Sequence, residues 1–184
     1  MTNTQLVSLS TRGVLTPEEL RTLPGIPSEE RMKRGPVAYI ECADIFPCNP
    51  CESACPKGAI RIGEDITNLP VLDEDRCDGC GICVAACPGL AIFVVDMTHS
   101  DTEAVVRIPY ELLPVPEKDR AVSCLDREGR VVTQGRIVKT VKPKAYRQTV
   151  VVWVAVPKDL AQEVRSIRVQ GAGGQRSVGP PTKA

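Results

Sequence analysis

Eight of the nine cysteines in this 184-residue chain fall between Cys42 and Cys87, and no other feature limits its possible folds so sharply. The later group reads Cys77-Asp-Gly-Cys80-Gly-Ile-Cys83-Val-Ala-Ala-Cys87-Pro88, a C-x2-C-x2-C-x3-C-P run. Two-residue gaps let three thiolates point inward from one tight loop. Gly79 and Gly81 permit the dihedrals such a loop needs and expose backbone N–H donors. Moving back 32 residues finds the run again: Cys48 aligns with Cys80, Cys51 with Cys83, Cys55 with Cys87 and Pro56 with Pro88. Ala54, Ala59 and Ile60 match Ala86, Ala91 and Ile92, the pattern of a duplicated half with a strand after its helix. One position breaks the repeat. Cys77 falls opposite Ile45, and the nearest upstream thiol is Cys42, so the earlier run is C-x5-C-x2-C-x3-C-P, with Pro47 and Pro50 stiffening its loop.

Two other uses of clustered cysteines fit less well. Structural zinc takes four ligands from two separated pairs, whereas these runs have three closely spaced thiols and a displaced cysteinyl-proline. Disulfides need an oxidising compartment, and the amino-terminal MTNTQLVSLSTRG lacks the charged-then-apolar pattern of a secretion signal, so a cytoplasmic location is expected. No apolar run reaches the ~18 to 20 residues of a membrane span. Basic and acidic residues balance at 23 each, which gives no reason to expect a nucleic-acid partner. That balance hides a division: residues 36–97 hold ten acidic against three basic side chains, a net of −7, and residues 98–184 hold nine against fifteen, a net of +6. The first 35 residues give +1, from four acidic and five basic.

From residue 37 to about 96, on the two cysteinyl-proline runs, the chain resembles the bacterial-type 2×4Fe-4S ferredoxin family. The resemblance implies an α+β dicluster domain with pseudo-twofold, ββα-like halves, and a crossed set of ligands. One 4Fe-4S cluster then takes Cys77, Cys80, Cys83 and Cys55; the other takes Cys48, Cys51, Cys87 and Cys42. Cys42 is the departure from the family pattern. If it cannot reach, Asp44 or water completes that site, or the cluster there is 3Fe-4S. Outside the runs, Cys124 alternates with Val122 in an expected strand and reads as a buried free thiol, and His99 reads as a turn residue.

The flanks complete a four-part division. Residues 1–35 form a helical arm, with helix starts at Thr16-Pro17-Glu18-Glu19 and Ser28-Glu29-Glu30 and breaks at Pro24, Gly25 and Pro27. Residues 36–98 form the dicluster domain. Residues 99–170 form a small β-rich docking domain with strands at 104–108, 121–125, 130–133, 136–141 and 149–156, a hairpin turn at Asp126–Gly129 and another connection at Pro143. A short helix opening at Pro157 follows, with Leu160, Val164 and Ile167 on one face, and residues 171–184 form a disordered tail.

No phosphate loop, G-x-G-x-x-G, G-x-S-x-G or H-E-x-x-H motif is present, so no catalytic site of the chain's own is expected. The expected function is electron transfer through two clusters, with the charge of −7 around them favouring a low potential. The appended β unit points to an electron-relay subunit of a hetero-oligomeric flavoprotein oxidoreductase. The flanks also resemble, more weakly, the ferredoxin-like subunits of flavin-dependent amino-acid dehydrogenases. The alternatives are a free soluble electron carrier and a structural or binding protein whose clusters are not redox-active.

Overall fold

Val150–Pro157 is apolar at nearly every position, and a strand with that composition is stable only when both of its faces are covered. In the computed structural model, which describes residues 11, 13–142 and 149–169, this strand lies within a seven-stranded antiparallel sheet. The strands are β1 (Val37–Ile40), β4 (Ile92–Asp96), β5 (Glu103–Tyr110), β6 (Ala121–Leu125), β7 (Val131–Val141), β8 (Val150–Pro157) and β9 (Ser166–Val169). Their order is β1-β4-β5-β8-β7-β6-β9. A separate hairpin pairs β2 (Ile60–Arg61) with β3 (Val71–Leu72). The regular structure among the described residues is mostly β, with four short α-helices: α1 (Pro17–Arg21), α2 (Glu29–Met32), α3 (Pro50–Ala54) and α4 (Ile82–Ala86).

The alternation of side chains sorts the sheet into two cores. Val37 and Tyr39 of β1, Val106 and Ile108 of β5, and Val152 and Val154 of β8 face one core, with Val122, Cys124 and Ile137. Ala38 and Ile40, Ile92 and Val94, and Val151 face the other, which also contains Val84, Ile60 and Cys51 and Cys83. The cysteines therefore sit on the β1–β4 face of a sheet whose remaining strands come mostly from after residue 98. One sheet runs through residues on both sides of that position, because β4 pairs with β5 (Val95 opposite Val106).

The arm follows its sequence signals. Thr16 and Glu19 form a reciprocal capping box on α1, and Ser28 caps α2. Leu15, Leu20 and Leu23 pack with Ala43 in a third small cluster. Asp126–Gly129 forms a turn, with Gly129 N–H donating to the Asp126 carbonyl at 3.1 Å.

Two local expectations change. Residues 130–133 and 136–141 join into the single strand β7, which passes Gly135 and absorbs a register shift between Ile137 and Lys139. A Cβ at Gly135 would stand 2.6 Å from Cys124 Sγ, so the strand continues there only because that side chain is missing. The helix after Pro157 stops as a single 3-10 turn, Lys158–Leu160, and Ile167 lies in β9. Ser166–Val169 pairs with the otherwise open edge of β6, and that ladder outweighs a marginal short helix. The expected connection at Pro143 and the tail 171–184 lie outside the described residues.

Candidate metal centres

Both cysteinyl-proline pairs solve the same local problem. A residue before proline is pushed out of the helical region, so Cys55 ends α3 at φ −78°, ψ 108° and Cys87 ends α4 at φ −77°, ψ 113°. Each thiol thus leaves its helix in an extended direction. Cys87 lines one cavity together with Cys42, Cys48 and Cys51, in company with Asp44, Phe46 and Arg127. Cys55 lines a second together with Cys77, Cys80 and Cys83, in company with Lys57, Gly79 and Gly81. The first cavity is roomy, at about 230 Å³, and the second is narrow, at about 20 Å³. Cys124 is fully buried in the other core, and His99 is exposed in the turn after β4. Among the described residues, no three His, Cys, Asp or Glu side chains close on a single ion. The thiols stand in fours around two hollows instead.

The electrostatics of these hollows suit a cationic occupant. Burial, then the neighbouring Cys87, Cys48 and Asp44, pushes the Cys42 thiol up to about 11. Burial and Cys87 do the same for Cys51, also to about 11. Burial pushes Cys83 up as well, with Cys77 and Cys80 adding to it, and Cys48 and Cys80 move in the same direction. Four crowded thiolates repel one another, and a bound cation would relieve that repulsion. Backbone donors are already in place: Ala38 N–H reaches Cys77 Sγ at 3.4 Å, and Ala59 N–H reaches Cys55 Sγ at 3.2 Å.

Four arginines hold these sites, and they do so in two different ways. At the later loop, Arg31 of α2 donates to the carbonyls of Cys77 (2.5 Å), Pro36 (3.1 Å) and Gly35 (3.1 Å). Arg107 of β5 donates from Nη1 to the Gly79 carbonyl and stacks 3.7 Å from the centre of the Trp153 ring, its cross-strand neighbour on β8. At the earlier loop, Arg127 from the Asp126–Gly129 turn grips Glu41 at 2.6 and 2.9 Å and meets Glu163 at 3.3 Å. Arg165 reaches the same Glu41 oxygen at 2.6 Å and lies over Tyr39 and Phe93. Burial alone would raise the Glu41 carboxyl, but Arg165 and Arg127 outweigh it and hold it below its usual range. None of these residues was singled out by sequence reasoning. Arg107 left a trace, a lone charge inside the apolar run Ala104–Ile108; Arg127, in a polar turn, left none.

Residues 46–108 match the 4Fe-4S dicluster domain. The chain is 36% identical over 87 residues to the aliphatic sulfonate oxidoreductase, polyferredoxin-like subunit, of Pyrococcus furiosus, covering 45% of this chain and 43% of that protein. It is 47% identical over 45 residues to one subunit of the ion-translocating oxidoreductase complex of Methanosarcina acetivorans, covering 24% of this chain and 16% of that one. It is 36% identical over 56 residues to the ferredoxin-type protein NapF of Haemophilus influenzae, covering 29% of this chain and 32% of that one. The chain thus spans less than half the length of these relatives. No solved structure matches it. Over this segment the chain is ferredoxin-like, and the domain it matches is one that carries 4Fe-4S clusters. No helix among the described residues is long and apolar enough to cross a membrane.

Proposed function

We propose that this chain is the electron-relay subunit of a multi-subunit, flavin-dependent oxidoreductase, with crossed ligation of its two clusters. Cys42, Cys48, Cys51 and Cys87 hold one 4Fe-4S cluster, and Cys55, Cys77, Cys80 and Cys83 hold the other. The observation that carries this reading is the lining of the two cavities, each of which combines three thiols with the cysteinyl-proline of the opposite run. Cys42 lies in the first set, and its presence there favours four irons over three. The β1–β4 and β2–β3 pairs with α4 and α3 support a pseudo-twofold arrangement of the domain.

When bound, the clusters accept and release single electrons without large ligand movement. The chain's own residues do the rest. Ala38 and Ala59 direct N–H groups at sulfur, Arg31 and Arg107 fix the later loop, and Ile60 and Val94 keep water from its inner side. The relay role in a larger assembly draws support from the oxidoreductase subunits among the relatives. The flavin-containing partner rests on the resemblance of the flanks, and residues 99–170 supply its docking surface.

Anaerobic purification of the full chain from its native source tests this reading in two parts. About eight iron and eight acid-labile sulfide per chain, with a flavin-containing protein that co-elutes, are the expected results. Stoichiometric zinc without sulfide would end the cluster assignment. A chain that elutes alone and is reduced by many unrelated reductases would make it a free carrier.

A further inference from the structure

The two hollows differ in how their arginines are balanced, and reduction potential is sensitive to such a difference. Building on the crossed ligation proposed above, we propose that Arg107 sets the clusters apart: it makes the one held by Cys55, Cys77, Cys80 and Cys83 the easier to reduce, so an electron entering the chain rests there.

Arg107 is 6% exposed, and its Nε is buried with no hydrogen-bond acceptor. Its anchors carry no formal charge: the Gly79 carbonyl and the face of Trp153. The charges it feels are those of Asp96, Cys80, Asp78 and Cys77. Both carboxylates are engaged elsewhere. Asp78 accepts from Cys80 N–H at 3.1 Å and meets Lys57 at 3.5 Å, while Asp96 accepts from the N–H and hydroxyl of Thr98 at 3.0 and 2.7 Å. The guanidinium stays protonated, and with Lys57 offsetting Asp78 it stands against Asp96 alone. Arg31, tied to carbonyls at Cys77, then leaves a net positive charge beside this set of thiols.

Around the other hollow the charges cancel. Arg127 and Arg165 meet Glu41 and Glu163, two cations against two carboxylates, and Asp44 adds a further negative charge at Cys42. Reduction adds one electron to a cluster, with no bond formed or broken and no proton taken from Arg107. The net positive charge therefore favours the reduced form at one site, and the balance at the other does not. Arg107 belongs to β5, outside the cysteine runs, so the sheet after residue 98 acts on the redox chemistry of the domain before it.

The test is a dithionite titration of the full chain, with redox mediators, followed by electron paramagnetic resonance. Cys48→Ser and Cys80→Ser assign the two signals. In the unaltered protein, the signal altered by Cys80→Ser is expected to appear first as the potential falls. Arg107→Gln, which keeps a donor but removes the charge, should make that cluster at least tenfold less reduced at a fixed potential, about 59 mV for one electron. Arg107→Lys should restore most of the effect, and the other signal should stay in place. Simultaneous or reversed reduction in the unaltered protein overturns the proposal, and this result does not depend on whether Arg107→Gln folds. Equal losses in the Gln and Lys variants overturn it too, since geometry rather than charge would then be at work. If Cys48→Ser and Cys80→Ser alter one and the same signal, the crossed ligation has failed, and the inference falls with it.

Discussion

The two cysteine runs share a register, yet the loops they build are held by opposite means. The later loop is narrow, is tied by Arg31 and Arg107 to backbone carbonyls, and bends through left-handed glycines at Gly79 (φ 66°) and Gly81 (φ 84°). The earlier loop is roomy and turns instead through Asn49 at φ −142°, and the arginines at its cavity are tied to carboxylates. The repeat supplies three thiols of each run in register, whereas the surroundings that orient and tune them come from unrelated parts of the chain. Ligand spacing is therefore a local property, and the electrostatics of each site is a tertiary one.

The largest effect should come from breaking the crossing itself. Cys55→Ala is expected to empty the site of the later run and Cys87→Ala that of the earlier run, each removing about four iron and four sulfide. Iron and sulfide analysis with cluster-resolved paramagnetic spectra would show it, and loss confined to each residue's own run would refute the crossing. Next comes Glu41→Gln. Removing this carboxylate leaves Arg127 and Arg165 facing each other in a buried site, an expected cost of about 3–5 kcal/mol. Denaturant unfolding measures it, and a shift below about 1 kcal/mol would reduce the cluster of charges to an ordinary surface pair. The smallest effect concerns the tight loop. At Gly79 a Cβ would sit 2.5 Å from the Pro36 carbonyl oxygen at a positive φ, so Gly79→Ala should cost about 1–3 kcal/mol. It should also speed iron loss to a chelator from that site alone; equal loss from both sites would contradict the independence of the loops.

These contrasts also show what can be read in a sequence. The cysteine spacing, the helix start at Thr16 and the turn at Asp126–Gly129 were legible because each depends on residues a few positions apart. Val122 and Cys124 on β6 were equally plain from their alternation. The fate of Ile167 was not, because Leu160, Val164 and Ile167 fit a helical stripe while Ile167 and Val169 fit a strand, and the free edge of β6 decided between them. The pairing of β4 with β5 was equally hidden, since it depends on strand order rather than composition. So was part of the positive charge after residue 98: Arg107 and Arg165 lie buried, and Arg127 is nearly so. A net charge counted along the chain treats such groups as surface when they are internal.

The edge of the sheet carries a further consequence, for solubility. β1 is the terminal strand, buried along its whole length, and its outward N–H groups are not left open: Ile40 donates to the Gly25 carbonyl at 3.0 Å and Ala38 to Cys77 Sγ at 3.4 Å. A cysteine proposed above as a cluster ligand thus also guards an apolar strand edge. On the proposed ligation, loss of iron releases the later loop and Cys77 with it, and uncovers a template for strand addition between copies of the chain. Chelator treatment should therefore lead to self-association, seen as rising light scattering, at a rate that follows emptying of the later site rather than the earlier one. A demetallated protein that stays monomeric would show that the arm guards this edge without help.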